Sequence, residues 1–258
     1  MKKFISFSGG VESTTMALLY GKGAKAIFCD TGAEHELMYQ RLDYVENMLK
    51  IIHDNDFEII RIKPDVKIKG EQINSLLDAV IIQKFMPSQM ARYCTRQFKI
   101  EPIDNFLKAI GECELMIGLN ADEIREGNYG LNENVKYYYP LQDDGYNRKD
   151  CEELLNQYGL HPNFPAYMLR GGCKMCFFKT EKEYKAMYYM NPDEFESVNI
   201  FEKKYQDKRS KFYTILSNGK SMEQIKAECQ NELFTNELKE IYEAYNKNGK
   251  SCGAFCNR

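Results

Sequence analysis

The chain has 258 residues, and 43% of them belong to the apolar set Ala, Val, Ile, Leu, Met, Phe, Trp, Tyr and Cys. That excludes a disordered chain and leaves room for one large domain or a core with an appendix. Lys and Arg number 35 against 38 Asp and Glu, a net charge of -3, which excludes a chain coated in basic charge for nucleic acid and leaves only a local patch open.

In chain order, Lys3 to Phe7 reads as a short strand, and Ser8-Gly9-Gly10 makes a tight turn into a helix that carries Met16, Leu18 and Leu19. Those glycines interrupt the apolar start, and no run nears the roughly 18 apolar residues of a membrane span. The expectation is a cytoplasmic protein without a secretory segment and without membrane contact. Ala24 to Cys29 is the second strand and ends at Asp30-Thr31-Gly32. Glu34 to His53 follows as a helix, with Leu37, Arg41, Tyr44 and Met48 at helical spacing. Phe57 to Ile62 is a third strand, Glu71 to Met86 a helix, Lys99 to Ile110 a helix and Leu115 to Leu119 a fourth strand. Strands alternating with helices over the first 120 or so residues predict an α/β fold with a mostly parallel sheet.

After residue 126 the rhythm changes. Tyr137 to Leu141 reads as a short extended piece and Lys149 to Tyr158 as a helix. Gly159 to Cys176 reads as irregular, and residues 181–190, 193–206, 221–229 and 232–246 as helices. The predicted organisation is a nucleotide-binding domain over 1–180 and a helical C-terminal extension over 181–258 that ends in a cysteine-bearing loop.

Two glycines between a strand and a helix permit close approach of backbone to ligand. The helix N-terminus and the backbone N–H groups then suit an anion, and Ser8, Ser13 and Thr14 add hydroxyls, so a phosphate or pyrophosphate is the natural guest. The pattern is neither Gly-Lys-Ser/Thr nor Gly-x-Gly-x-x-Gly, and an ordinary glycine-rich turn is the plainer account.

Ser6-Phe7-Ser8-Gly9-Gly10-Val11-Glu12-Ser13 resembles the signature of the PP-loop ATP pyrophosphatases, of the adenine nucleotide alpha hydrolase type. Further segments resemble the phosphoadenylyl-sulfate (PAPS) reductase family in the same order. They are Phe28 to Glu34, Tyr93 to Pro102, Ile117-Gly118-Leu119 with Asp122, Glu123 and Arg125, Tyr139-Pro140-Leu141, Tyr158 to Pro162, and Arg170 to Phe177, so the resemblance covers about residues 3 to 180. It implies an adenine nucleotide alpha hydrolase-like (Rossmann-like) parallel sheet flanked by helices. It also implies binding of ATP with Mg²⁺ and cleavage between the α and β phosphates. By that resemblance Ser6, Phe7, Ser8, Gly9, Gly10, Glu12, Ser13, Thr14, Asp30 and Gly118 are the nucleotide-binding candidates. Ser8, Glu12, Ser13, Lys99 and Arg125 are the candidates for the chemistry. Many members carry Asp where Glu12 stands, which keeps the carboxylate for Mg²⁺ but lengthens its reach. Arg96 and Lys99, three apart at a helix opening, are expected to share a face.

Nine cysteines in a reducing compartment call for an account other than disulfides. Cys173-x-x-Cys176 in a glycine-rich loop can chelate one metal or act as a redox dithiol. With Cys94 and either Cys252 or Cys256 it would complete a zinc site or a [4Fe-4S] cluster, and Cys256 is the preferred fourth ligand. The resemblance favours the cluster, with zinc as the alternative. The family often has a Cys-Cys pair where this chain has only Tyr93-Cys94. Cys29, Cys113, Cys151 and Cys229 are expected to be core fillers.

The expected reaction is ATP-dependent adenylation followed by sulfur transfer to a nucleobase or nucleic acid, with a separate sulfur donor. Tyr137-Tyr138-Tyr139 would offer stacking, and Lys203, Lys204, Lys208, Arg209 and Lys211 a basic patch. Two alternatives stand beside it: a PAPS or adenylyl-sulfate reductase with Cys252 as nucleophile, and a nucleotide-binding subunit of a modification or defence complex. A homodimer fits either assembly.

Overall fold

The structure is a computed structural model that describes residues 1–123, 132–169, 171–208 and 213–231. Arg125, Cys252, Cys256, the basic residues Arg209 and Lys211, and the expected helix 232–246 lie outside the described residues. Five strands form one sheet in the order β3-β2-β1-β6-β7, and every neighbouring pair is parallel. They are β1 (Lys2–Ser6), β2 (Ala24–Cys29), β3 (Glu58–Ile62), β6 (Cys113–Met116) and β7 (Val135–Tyr138). The protein is thus an α/β fold with a Rossmann-like parallel sheet flanked by helices.

Alternation along the strands divides the core in two. Ile5, Ala26, Phe28 and Met116 face one apolar layer, whereas Phe4, Ile27, Cys29, Leu115 and Ile117 face the other. The first layer takes in α1 (Val11–Tyr20), α2 (Glu36–Ile52), α7 (Arg148–Gln157) and the later helices α8 (Glu181–Met190), α9 (Pro192–Lys208) and α10 (Met222–Asn231). The second layer is closed by Ile103 and Leu107 of α5 (Glu101–Ile110). Tyr184, Met187, Phe195 and Val198 belong to the same apolar cluster as Ile5 and Met16, so the C-terminal helices share the core of the sheet. Among the described residues no helix is long and apolar enough to cross a membrane.

Four sequence expectations change. The expected helix from Glu71 begins instead with a hairpin of β4 (Val66–Ile68) and β5 (Glu71–Ile73), and α3 spans only Leu76–Gln83. Lys69 and Gly70 between those strands both have positive φ (49° and 91°), the backbone of a two-residue hairpin turn that holds the next residues in a strand. Ser75 then caps α3, its hydroxyl accepting from the Leu77 N–H at 3.2 Å. Second, the helix expected from Lys99 begins at Tyr93, as α4 (Tyr93–Thr95) running through a π-helical turn (Arg96–Ile100) into α5. Third, β6 ends at Met116, before Leu119. Fourth, α2 buries Met38, Arg41, Leu42, Val45 and Leu49, while Leu37 and Tyr44 are exposed. The buried face is rotated about the helix axis from the expected stripe, of whose members only Arg41 is buried and Met48 partly buried against the core.

The strand order reverses at β1. Its chain goes on through α1 to β2 on one side, and β6 lies on the other. The crevice outside the carboxyl ends of β1 and β6 is therefore the place where such sheets keep their ligands.

Candidate functional site

The glycine turn occupies that crevice. Gly9 has φ of +75°, and a Cβ there would lie 2.8 Å from Met38 Sδ, so the residue must be glycine for both backbone and space. Gly10 precedes α1 in extended conformation with no side-chain cap, so the first N–H groups of the helix are left to the crevice. The Ser8 N–H donates to Ser13 Oγ at 3.2 Å, and the two hydroxyls lie 3.2 Å apart. Ser13 Oγ donates to the Gly10 carbonyl at 3.3 Å and the Gly10 N–H points to Ser8 Oγ at 3.4 Å. Ser8, Gly9, Gly10 and Ser13 are thus brought together as the sequence suggested. Ser6 ends β1, and the Phe7 side chain is core, its N–H donating to Ile27 O at 2.9 Å. Thr14 is fully buried, and its hydroxyl accepts from Arg41, so it faces the core.

Glu12 is buried at the start of α1. Its Oε1 accepts from Asn120 Nδ2 at 3.1 Å and from Arg148 Nη1 at 2.6 Å. Arg148 also donates through Nε to Glu152 at 2.6 Å, and its backbone N–H donates to Asp122 at 3.1 Å. These carboxylates hold the guanidinium charged against the cost of burial. Gly118 brings β6 close to this cluster, since a Cβ there would stand 3.2 Å from Glu12 Cβ and 3.1 Å from Met16 Cε. Asp30 folds the next loop, accepting from the Gly32 N–H at 2.9 Å and from the Tyr39 hydroxyl at 2.7 Å. Burial, and then that carboxylate, push the Tyr39 phenol well above its usual range.

Arg41 lies beneath the turn, 8% exposed. It donates through Nε to the Gly9 carbonyl at 2.6 Å, and through Nη2 to Thr14 Oγ1 at 3.1 Å and Leu160 O at 2.9 Å. Burial pulls its pKa down to about 10. Sequence reasoning took Arg41 only as part of a periodic stripe. A charged residue on an apolar helical face was the signal available.

The cysteine pocket is a cavity of about 80 Å³ lined by Thr31, Cys94, Lys99, Cys173, Cys176 and Lys179, among others. Gly171 and Gly172, both at positive φ, fold the loop that brings Cys173 in, and Lys174 N donates to Ala33 O at 3.0 Å to fix it against the end of β2. The Thr31 hydroxyl lies 3.6 Å from Cys173 Sγ and donates to Glu34 at 2.9 Å. Burial raises the pKa of all three thiols, while Lys99 pulls each back toward ionisation. Lys99 is therefore a thiol-side cation, with Nζ 3.8 Å from Glu34 Oε1. Arg96 does not share its face: its side chain is 79% exposed on Glu101 at 2.8 Å, against 24% exposure for Lys99. Residues three apart diverge more widely in a π turn than in an α-helix, and that turn separates the two. The buried Lys179 donates to Tyr167 O, and burial lowers its pKa.

In kind, three thiols on one pocket fit a thiophilic metal or cluster. Among the described residues no three His, Cys, Asp or Glu side chains are drawn together as a metal site. Cys29, Cys113, Cys151 and Cys229 are buried in the core as expected. Cys29 donates to Phe98 O at 3.0 Å, and burial pushes its thiol up to about 12. Of the tyrosine run, Tyr138 is exposed on β7, while Tyr137 and Tyr139 pack on the second apolar layer. Of the basic patch, Lys203 pairs with Glu223 at 2.7 Å.

No family model matches the chain, and no curated protein matches it. Among solved structures it is similar to the phosphoadenylyl-sulfate (PAPS) reductase from Candida auris in a phosphate complex, at 15% identity, over 62% of this chain and 74% of that one, with a TM-score of 0.41. At that identity the likeness says nothing of the chemistry.

Proposed function

We propose that the protein binds ATP at the glycine turn, cleaves it between the α and β phosphates and uses the adenylated acceptor for sulfur transfer. The observation that carries the reading is the pair of Ser8 and Ser13 hydroxyls held 3.2 Å apart beside Gly9, where the strand order reverses. Ser8, Ser13 and the free N–H groups of α1 would hold the phosphates, and Glu12 would hold Mg²⁺ once Arg148 yields its share of the carboxylate. An oxygen of the acceptor attacks the α phosphorus, pyrophosphate leaves, and sulfur then displaces AMP from the adenylated carbon. Cys94, Cys173 and Cys176 would bind a [4Fe-4S] cluster or zinc, which when bound would hold sulfur next to the adenylating site. The acceptor proposed is a nucleobase or nucleic acid, with Tyr138 as its stacking surface.

The test is anaerobic purification followed by product analysis with ATP and candidate acceptors. AMP and pyrophosphate from the wild type, lost in Ser8→Ala, are expected. Production of ADP and phosphate would overturn the reading. Sulfite release from a sulfonucleotide without ATP, abolished by Cys252→Ala, would assign the reductase chemistry instead. Tight ATP binding without any turnover would assign the role of a nucleotide-binding subunit.

A further inference from the structure

Among the described residues no acidic side chain neutralises the charge of Arg41. No carboxylate lies within 4 Å of its guanidinium nitrogens among the described residues, and its acceptors are two carbonyls and one hydroxyl. The Phe164 ring, 5.7 Å from Cζ, adds a cation–π contact. Burying a cation without a counter-ion is costly, and a Met or Leu would fill the face of α2 more cheaply. Two of its three hydrogen bonds serve one place: Nε and Nη2 reach Gly9 and Thr14, the underside of the turn and the first turn of α1, while Nη2 also reaches Leu160 O.

We propose that Arg41 is a positioning residue for an anionic ligand, a buried cation whose counter-ion is the phosphate chain seated on the opposite face of the glycine turn. The inference rests on the reading of that turn as a phosphate site and adds to it a charge that never touches the ligand. The positive field reaches the anion through the Gly9 peptide and the start of α1, in a region where little water screens it. Arg41 also fixes the turn through the Gly9 carbonyl, so shape and charge come from one side chain. A residue that merely braced α2 against α1 would affect every ligand alike. A counter-ion affects ligands according to their phosphate charge.

The experiment compares ATP, inorganic pyrophosphate and adenosine by calorimetry on the full chain, as wild type, Arg41→Lys and Arg41→Met. The expected result is that Arg41→Met weakens ATP and pyrophosphate binding by about tenfold or more and leaves adenosine within about twofold. Arg41→Lys, which keeps the charge, is expected to keep ATP affinity within about threefold. Equal ATP affinity in wild type and Arg41→Met, or equal weakening of all three ligands, would overturn the proposal while leaving the phosphate reading of the turn in place. A wild type that binds neither ATP nor pyrophosphate would overturn both. Should Arg41→Met not fold, the Arg41 Nε resonance of the wild type decides: a shift on saturation with pyrophosphate supports the counter-ion role, and an unmoved resonance overturns it.

Discussion

The glycine turn is made by residues 8 to 14, one loop and one helical turn, with serine hydrogen bonds that span at most five positions and one distant brace, Arg41. The cysteine pocket, at the same edge of the sheet, needs Thr31 from the end of β2, Cys94 and Lys99 from the α4 region, and Cys173 and Cys176 from an irregular loop. The turn holds its shape largely through local backbone geometry, braced from below by Arg41. The pocket is assembled from distant pieces, and its thiols are kept protonated by burial. On the proposed reading, the first would be a prearranged seat for an anion and the second a site that its ligand must complete.

The largest expected effect tests the rigidity of the turn. Gly9→Ala meets both a positive φ and Met38 Sδ at 2.8 Å. The strained backbone and the overpacking together should cost about 2–4 kcal/mol. A thermal melt should fall by roughly 5–10 °C, with ATP binding lost by calorimetry. Unchanged ATP affinity in a stable Gly9→Ala variant would show that the backbone shape of the turn is not what holds phosphate. Next comes the pocket. Cys173→Ala should lower bound iron or zinc at least about tenfold while Ser8→Ala leaves the metal content alone. Because all three thiols titrate above their ordinary value, metal uptake must release protons, so loading should be weaker at about pH 6 than at about pH 8. Metal retained in Cys173→Ala would remove the pocket from metal binding.

The same contrast explains how far the sequence could be read. Ser8-Gly9-Gly10 with Ser13 lies within six residues of sequence, so the turn itself is legible without the fold. The parallel sheet was legible for a similar reason, since each strand is a short apolar run closed by Gly, Asp or Pro. Lys99 was assigned to the phosphates, because nothing local announces that a π turn will swing it toward the thiols and away from Arg96. Strand β5 falls in the expected helix from Glu71 because Lys69-Gly70 is a weaker turn signal than Asn-Gly. Arg148 escaped notice entirely: it stands 136 residues from Glu12, and only the packing of α7 on α1 joins them.

That ion pair gives a middle-sized prediction. Glu12→Gln removes the charge opposite Arg148, whose side chain is 26% exposed, so the loss should be smaller than for a fully buried pair, about 1–2 kcal/mol. Calorimetry with and without Mg²⁺ should show the magnesium dependence of ATP binding shrink by about tenfold if the carboxylate is the metal's ligand. Arg148→Ala should instead leave that dependence in place, since Glu12 is then freed. A Glu12→Gln protein whose ATP binding still follows Mg²⁺ as the wild type's does would assign the metal elsewhere.

The smallest effect concerns the element that joins the two regions. Helix α2 starts beside the pocket, just after Glu34 and its N-cap His35, and within its first two turns delivers Met38 and Arg41 to the glycine turn. His35 is fully buried at the helix start, with Nδ1 2.9 Å from Glu194 Oε2, its ring near Tyr167 and no partner for Nε2 among the described residues. Burial lowers its pKa below the ordinary histidine value, more than the Glu194 hydrogen bond raises it. The native state therefore prefers the neutral ring, and the unfolded chain takes up the proton first. Stability that His35 contributes is present above about pH 6.5 and is lost as pH falls below it. The melting temperature should drop between about pH 7 and pH 5.5 by a few degrees, and His35→Gln should flatten that slope. ATP affinity measured over the same range should stay level if the glycine turn is held by Arg41 and Gly9 alone. If it falls in step with the melt, the start of α2 is a strut that both regions share, and the turn is less self-sufficient than its local hydrogen bonds imply.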